Sequence, residues 1–164
     1  MGYGYDLHTL RAGSDAVDAT NEIMLGGVSI PCDKQVVAHS DGDVLLHAVC
    51  DALLGAAGLG DLGEHFPDTD DKWLNLAGAK LVQLTMEKIK HSNYRVLNLD
   101  STIILEKPGL TPYKSKMRDN LAILLETDIS AINVKATRNE GMDAIGRGEA
   151  IAAHCVCLLQ TINL

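Results

Sequence analysis

The chain has 164 residues, of which 46% are hydrophobic, 22% charged and 4% aromatic. That is the size and balance of one folded domain with an aliphatic core, and it excludes disordered and fibrous classes. Lys and Arg number 14 against 22 Asp and Glu, so the formal charge of -8 repels nucleic acid and anionic membrane surfaces. The scarcity of rings leaves no platform for stacking bases.

In chain order, Gly2 to Leu10 alternates and reads as a strand, and Arg11 to Glu22 is a small, polar, acidic loop. Ile23 to Ile30 offers a second strand interrupted by Gly26 and Gly27 and closed by Pro31. Asp43 to Gly58 suits a helix, since Val44, Leu45, Ala48, Ala52 and Leu53 recur at spacings of three and four, with Ser40, Asp41 or Asp43 as cap. Gly60 to Asp71 is a loop rich in Gly, Pro and Asp. A second helix is predicted from about Leu74 to His91, a strand over Leu97 to Glu106, and a third helix opened by Pro112. Strands over Ile132 to Thr137 and Ala150 to Leu159 close the chain. The order suits an α+β sandwich, a mixed sheet with helices on one face, in a single domain over residues 1–164.

Cys32, Cys50, Cys155 and Cys157 lack metal-ligand or redox spacing and read as small core residues of a reducing compartment. No apolar run approaches the roughly 18 residues of a membrane span, and the first twenty residues are not a signal peptide. The expected location is the cytoplasm, or a plastid-type organelle interior if a transit segment has been removed.

Three places concentrate polar groups. In Asp6-Leu7-His8, a strand sets one carboxylate and one imidazole side by side, although this spacing alone is common on exposed strand edges. On the first helix Asp43, His47 and Asp51 fall at i, i+4 and i+8 on one stripe. A solvated stripe would explain the aspartates, but this helix has neither Lys nor Glu, and His47 is better explained as a ligand. Asp6, His8 and His47 together make a three-ligand zinc set with a fourth position open, and nearby aspartates could orient the imidazoles. The third place is Gly60 to Asp70, either a surface excursion or a loop that wraps a polar ligand. Glu140 is a carboxylate for a hard cation such as magnesium. Arg147, between glycines, is either an anion site or half of a salt bridge to Glu149. Phosphate loops of the nucleotide-hydrolysing and dinucleotide types are absent, so metal-assisted chemistry on a phosphate is what remains.

Gly4-Tyr5-Asp6-Leu7-His8, Leu25 to Pro31, Ala38-His39-Ser40-Asp41-Gly42-Asp43 through His47, Gly60-Asp61-Leu62-Gly63, Phe66-Pro67-Asp68-Thr69-Asp70, Asn133 to Thr137 and Gly146-Arg147-Gly148-Glu149 carry a resemblance. Over essentially the whole chain the sequence resembles the 2-C-methyl-D-erythritol 2,4-cyclodiphosphate synthases of non-mevalonate isoprenoid synthesis. The resemblance implies a lyase in which the 2-phosphate of 4-diphosphocytidyl-2-C-methyl-D-erythritol 2-phosphate attacks the β-phosphorus and CMP leaves. It implies one zinc per subunit on Asp6, His8 and His47, and Mg²⁺ or Mn²⁺ on Glu140. His39 would stabilise the transition state and, with Ser40, contact the 2-phosphate.

Asp61, Leu62, Gly63, Phe66, Pro67, Asp68, Thr69 and Asp70 correspond to the erythritol loop, beside Asp6, Leu7 and His8. Leu105, Glu106, Lys107, Pro108, Gly109, Leu110 and Thr111 correspond to the cytosine pocket, with Thr137, Arg138, Asn139 and Glu140 adjoining. Ala144 and Arg147 lie in the stretch assigned to an axial cavity. The implied subunit is ferredoxin-like, a mixed four-stranded sheet plus a small N-terminal β-hairpin, in a homotrimer with active sites between subunits.

The chain departs from that pattern at Arg138, where the family carries a threonine assigned to the transition state, and at Gly109, where it carries Lys. Ala144 replaces an aromatic, Ala77-Gly78 replaces a polar pair, and Thr9 to Glu22 is longer than usual. These departures motivate two other readings: a weakened relative that only binds cytidine nucleotides or isoprenoid phosphates, and a structural trimer with a closed zinc site. Retention of Asp6, His8, His47, Asp61 and Glu140 favours the enzyme.

Overall fold

Alternation along the first strand decides how everything else packs. In β1 (Gly2–Ala12) Gly2, Gly4, Asp6, His8 and Leu10 face one side and Tyr3, Tyr5 and Leu7 the other. The computed structural model describes residues 1–13, 21–38, 40–67, 69–73 and 76–162. After β1 come β2 (Glu22–Leu25), β3 (Val28–Pro31), β4 (Lys34–Val37), α1 (Val44–Ala57), α2 (Leu62–His65), α3 (Gly78–His91) and β5 (Tyr94–Ile104). Then follow α4 (Lys114–Leu124), β6 (Ile132–Thr137), α5 (Asp143–Gly146) and β7 (Ala150–Thr161).

Five strands form one sheet in the order β4-β1-β7-β5-β6, with β5 and β6 parallel and the other pairs antiparallel. The expected four strands are all there, and β4 adds an edge strand that its four-residue Lys-Gln-Val-Val pattern is too short to announce. The ferredoxin-like arrangement implied by the resemblance is corrected. That arrangement runs β-α-β-β-α-β, whereas here α4 is the crossover between the parallel pair β5 and β6, giving β-α-β-α-β-β. The stretch read as one interrupted strand is the hairpin β2–β3: Gly26 (φ 60°) and Gly27 (φ 71°) both adopt positive φ, as a two-residue hairpin turn requires. Much of the loop read over Arg11 to Glu22 (residues 14–20) lies outside the described residues, while its two ends belong to β1 and β2.

Helices α1, α3 and α4 cover one face of the sheet. Leu45, Leu46, Leu53, Ile89, Leu99, Ile103, Met117 and Leu121 are fully buried between the layers, each contributing about 2 kcal/mol against exposure. On the other face α5 brings Ile145 onto Ala150 and Ala152, while Tyr3 (60% exposed), Leu7 (47%) and Val156 (38%) remain open. All four cysteines are free and buried, as core residues. Burial pushes the Cys50 thiol up to about 12 and Cys157 up to about 11. Among the described residues no helix is long and apolar enough to cross a membrane.

α1 ends as the sequence predicts: Asp43 caps its start, accepting from the Leu46 amide, and Gly58 (φ 71°) closes it. α3 begins at Gly78 rather than near Leu74, which lies outside the described residues. Its first amide is held from another element, since Gly78 N donates to Asp41 Oδ2 at 2.7 Å. A Cβ on Gly78 would stand 3.2 Å from Leu46 Cβ, so the small Ala77-Gly78 pair lets α3 begin against α1.

A candidate metal centre and its companion loops

β1 and α1 touch backbone to backbone. A Cβ on Gly4 would overlap the Ala48 carbonyl oxygen and stand 2.7 Å from the Ala52 nitrogen, so only glycine allows this approach. The closeness brings His47, one residue before Ala48, over the strand face that carries Asp6 and His8. Asp6 Oδ2 lies 3.0 Å from His8 Nε2 and 3.0 Å from His47 Nδ1, and the two ring nitrogens are 3.1 Å apart. Among the described residues this is the one group of three whose ligand atoms converge in this way.

The donor set fits a metal. Ligands about 2.0–2.1 Å from a tetrahedral ion sit about 3.3 Å from one another, and the observed edges are slightly shorter. The two imidazole nitrogens and the carboxylate oxygen converge closely enough for a single cation to bind all three at once. Burial opposes the charge on Asp6, but hydrogen bonds and charge from His47 and His8 outweigh it and hold the carboxyl well below the ordinary carboxylate range. Burial likewise opposes protonation of His47, and the Asp6 carboxylate reverses this, so the imidazole is more basic than usual.

The second His47 nitrogen is oriented by Ser40, whose Oγ is 3.1 Å from Nε2, and not by an aspartate as the sequence suggested. The aspartates of this segment work elsewhere. Asp43, fully buried, accepts from Gly26 N (2.9 Å), Gly27 N (2.7 Å) and Leu46 N (3.1 Å), fastening the hairpin turn to the start of α1. Asn120 on α4 grips the same turn from the opposite side through the Gly26 and Gly27 carbonyls. Asp51 accepts from Leu62 N at 2.7 Å and so hangs α2 from α1. Asp61 caps that short helix through Glu64 N, which places Asp61, Leu62 and Gly63 beside α1. The bonds of Asp43 to Gly26 and Gly27 and of Asp51 to Leu62 could not be read from spacing, because those amides are far away in sequence, whereas the caps at Leu46 and Glu64 are local.

Beyond α2, Phe66 packs edge-on against Trp73 with centroids 5.0 Å apart, and Lys72 pairs with Asp70. Pro67 and Thr69 lie on the same stretch. His39 and Asp68, both expected at the site, lie outside the described residues.

A second cluster occupies the carboxyl ends of β5 and β6. Leu105 N donates to Thr137 O (3.1 Å), and Asn139 N donates to Glu106 Oε2 (3.2 Å), so residues 105–111 and 137–140 form one surface. Leu105 and Leu110 are buried, while Lys107, Gly109, Arg138 and Glu140 are exposed. Asn139 also donates to Asp143 Oδ2 at 2.8 Å. Arg147 resolves as half of a salt bridge, 2.9 Å from Glu149, exposed and near Ala144 at the far side of the sheet.

The two clusters do not meet within one chain. Asp6 pairs with Ala153, Ala153 with Ile103 and Ile103 with Ala136, so both lie at one level of the sheet, three strand spacings apart. That separation is roughly 14 Å.

Residues 1–160 match the family model described as the YgbB family. The chain belongs to the YgbB family. A relative from Desulfatibacillum aliphaticivorans named 2-C-methyl-D-erythritol 2,4-cyclodiphosphate synthase is 49% identical over 98% of this chain and 99% of its own. Among solved structures, the bifunctional IspDF of Campylobacter jejuni superposes with a TM-score of 0.89 at 38% identity over 98% of this chain; this chain spans 42% of that longer one. The IspF of Plasmodium falciparum, solved as a CDP complex, gives a TM-score of 0.83 at 31% identity over 99% of this chain and 96% of its own. The YgbB match covers both clusters, and every ligand of the Asp6-His8-His47 centre lies within it.

Proposed function

We infer that this chain converts 4-diphosphocytidyl-2-C-methyl-D-erythritol 2-phosphate into 2-C-methyl-D-erythritol 2,4-cyclodiphosphate and CMP, the cyclising step of non-mevalonate isoprenoid synthesis. The observation that carries this reading is the convergence of Asp6, His8 and His47, with ligand atoms 3.0–3.1 Å apart, in a chain of the YgbB family. In the reaction an oxygen of the 2-phosphate forms a bond to the β-phosphorus. The bond from that phosphorus to the bridging oxygen breaks, and CMP departs with that oxygen. Nucleophile and electrophile belong to one molecule, so the protein folds the substrate in line, and no side-chain nucleophile is required.

Zinc on Asp6, His8 and His47, and magnesium or manganese on Glu140, supply when bound the positive charge needed at the attacked and departing phosphates. Ser40 orients His47 and, with His39, receives the 2-phosphate, and His39 steadies the transition state. Asp61, Leu62, Gly63 and residues 66–70 bind the erythritol hydroxyls beside Asp6, Leu7 and His8. Leu105 to Thr111 take the cytosine, and Thr137, Arg138, Asn139 and Glu140 take the diphosphate, with Arg138 in the catalytic group. Ala144 and Arg147 border an axial cavity.

The working molecule is a homotrimer of single-domain subunits, residues 1–164, acting in the cytoplasm or an organelle interior. Supporting this are the roughly 14 Å between the two clusters, too far for one chain to close a site around one phosphate, and the open face with Tyr3, Tyr5, Leu7 and Val156. A neighbour's β6 edge brought to β1 would complete the site. The test is CMP release with Mg²⁺ before and after zinc is stripped by a chelator. Zinc-dependent CMP together with a cyclic diphosphate is expected. No turnover in a trimer that still holds zinc would overturn the reading in favour of a nucleotide-binding relative.

A further inference from the structure

The turn between β4 and α1 is tied to a helix that lies outside the metal centre. Asp41, half-buried, uses both carboxylate oxygens. Oδ1 accepts from Asp43 N at 3.3 Å and closes an Asx turn, while Oδ2 accepts from Gly78 N at 2.7 Å, the first amide of α3. The residue before Gly78 is Ala77, which supplies no side-chain cap. A helix start whose amides lack a local side-chain acceptor is thus held by a carboxylate 37 residues earlier. The bond works in both directions, since what steadies α3 also ties down the turn.

Ser40 sits inside that turn. Its Oγ accepts from Gly42 N at 3.2 Å and lies 3.1 Å from His47 Nε2. Gly42 takes φ 72°, and a Cβ there would stand 2.5 Å from Val36 Cγ1, so the turn is wedged against β4. His47 Nδ1 faces Asp6 and His8. With Nδ1 given to a metal, the ring proton is on Nε2 and is donated to Ser40. A hydroxyl oxygen that accepts from both Nε2 and Gly42 N has used its two lone pairs, and its own O–H remains to be donated. The turn sets where that one free donor stands, and Asp41 anchors the turn.

We propose that Asp41 is a positioning residue for the cyclisation: its grip on the first amide of α3 fixes the turn that presents the Ser40 hydroxyl to the attacking phosphate. The proposal rests on the reading of Ser40 as a contact of the 2-phosphate. Asp41 acts through Ser40 and not on the reacting atoms. Alanine at 77 makes α3 depend on the same bond, since that helix has no cap of its own when Asp41 lets go.

The experiment measures CMP release, melting temperature and bound zinc in wild type, Asp41→Ala, Asp41→Asn, Ser40→Ala, Asp41→Ala with Ser40→Ala, and Asp41→Ala with Ala77→Ser. Ala77 is exposed and extended (φ -63°, ψ 135°), so serine there gives α3 a cap without restoring the anchor of the turn. Asp41→Ala is expected to lower kcat/KM about tenfold or more, to melt about 2–4 °C lower and to keep its zinc. Adding Ala77→Ser should recover the melting temperature and leave kcat/KM low. Asp41→Asn, which keeps one acceptor oxygen, should recover part of both, and it takes the place of Asp41→Ala throughout if that variant does not fold. Ser40→Ala should lose at least as much activity as Asp41→Ala, and the double variant no more than Ser40→Ala, because Asp41 acts through that hydroxyl. Wild-type turnover in Asp41→Ala, additive losses at the two positions, recovery of kcat/KM by Ala77→Ser, or loss of zinc from Asp41→Ala would each overturn the proposal and leave the phosphate contact standing. Wild-type turnover in Ser40→Ala, or no CMP release from the wild type, would remove the phosphate contact itself, and the proposal with it.

Discussion

The metal cluster and the loop cluster belong to one chain but are built in different ways. Around Asp6, His8 and His47 the supports are buried and specific: a glycine contact between β1 and α1, Ser40 behind His47, and Asp43 with three amides in its grasp. Around Arg138 the exposed side chains rest on two supports, a main-chain bond from Leu105 N to Thr137 O and a bond from the Asn139 amide to the Glu106 carboxylate. The difference shows where such a protein can vary. Positions held by packing, such as Gly4 against Ala48, leave no room for replacement. Loop positions held by backbone accept new side chains, and Arg138 and Gly109 both fall there.

The sharpest way to break that contrast is His47→Ala. It should strip most zinc on dialysis, as read by elemental analysis, and lower turnover more than about 100-fold, a larger loss than changing a residue that only orients a ligand gives. Full zinc occupancy in this variant would refute the ligand assignment. Gly4→Ala should cost about 1–3 kcal/mol in a denaturant melt, because a methyl forced between strand and helix must displace backbone. Zinc affinity should fall with it. The matched change in the other cluster, Gly109→Ala, should stay within about 0.5 kcal/mol, and equal costs at the two glycines would erase the distinction.

Asp43→Ala leaves the Gly26 and Gly27 amides without their acceptor and removes the cap of α1, for a loss of about 1–2 kcal/mol. Glu140→Gln should weaken the magnesium dependence of turnover about tenfold, or about 1.4 kcal/mol, with zinc content unchanged; an identical magnesium titration would remove Glu140 from the metal scheme. The smallest effect belongs to Asp100, paired with Lys135 at 2.5 Å on the surface. Lys135 holds its carboxyl below the ordinary value, so its contribution is present at neutral pH and fades as pH falls through the acid range. Asp100→Asn should therefore cost less than about 1 kcal/mol at pH 7 and nothing in strong acid.

What could be read from the sequence follows from the range of each interaction. Asp6 and His8 were legible because a strand puts i and i+2 on one face, and His47 because an imidazole on an aliphatic helix needs a reason. The sandwich and most element boundaries followed from periodicity. The Asp43 cap was legible, but a solvated stripe or a role behind the imidazoles was the most that spacing offered for the rest of what Asp43 and Asp51 do, since nothing local shows that their partners are the Gly26-Gly27 turn and Leu62. β4 went unseen because four residues paired along Thr9 to Ala12 carry little pattern of their own. Asn120, which grips the hairpin turn from α4, gave no signal at all. The crossover through α4 is likewise a matter of strand pairing, which single-strand patterns do not contain.

The absence of side chains at Gly2 and Gly4 has a consequence for how the protein can drift over generations. Where helix and strand meet through methyls and isopropyls, each exchange of one aliphatic residue for another resets their spacing. Here main chain meets main chain, with Ala48 and Ala52 on the helix side. The separation that sets His47 against Asp6 and His8 is therefore a constant of peptide geometry, independent of which leucines and valines fill the rest of the core. The interior can be rewritten residue by residue while the ligand distances stay the same.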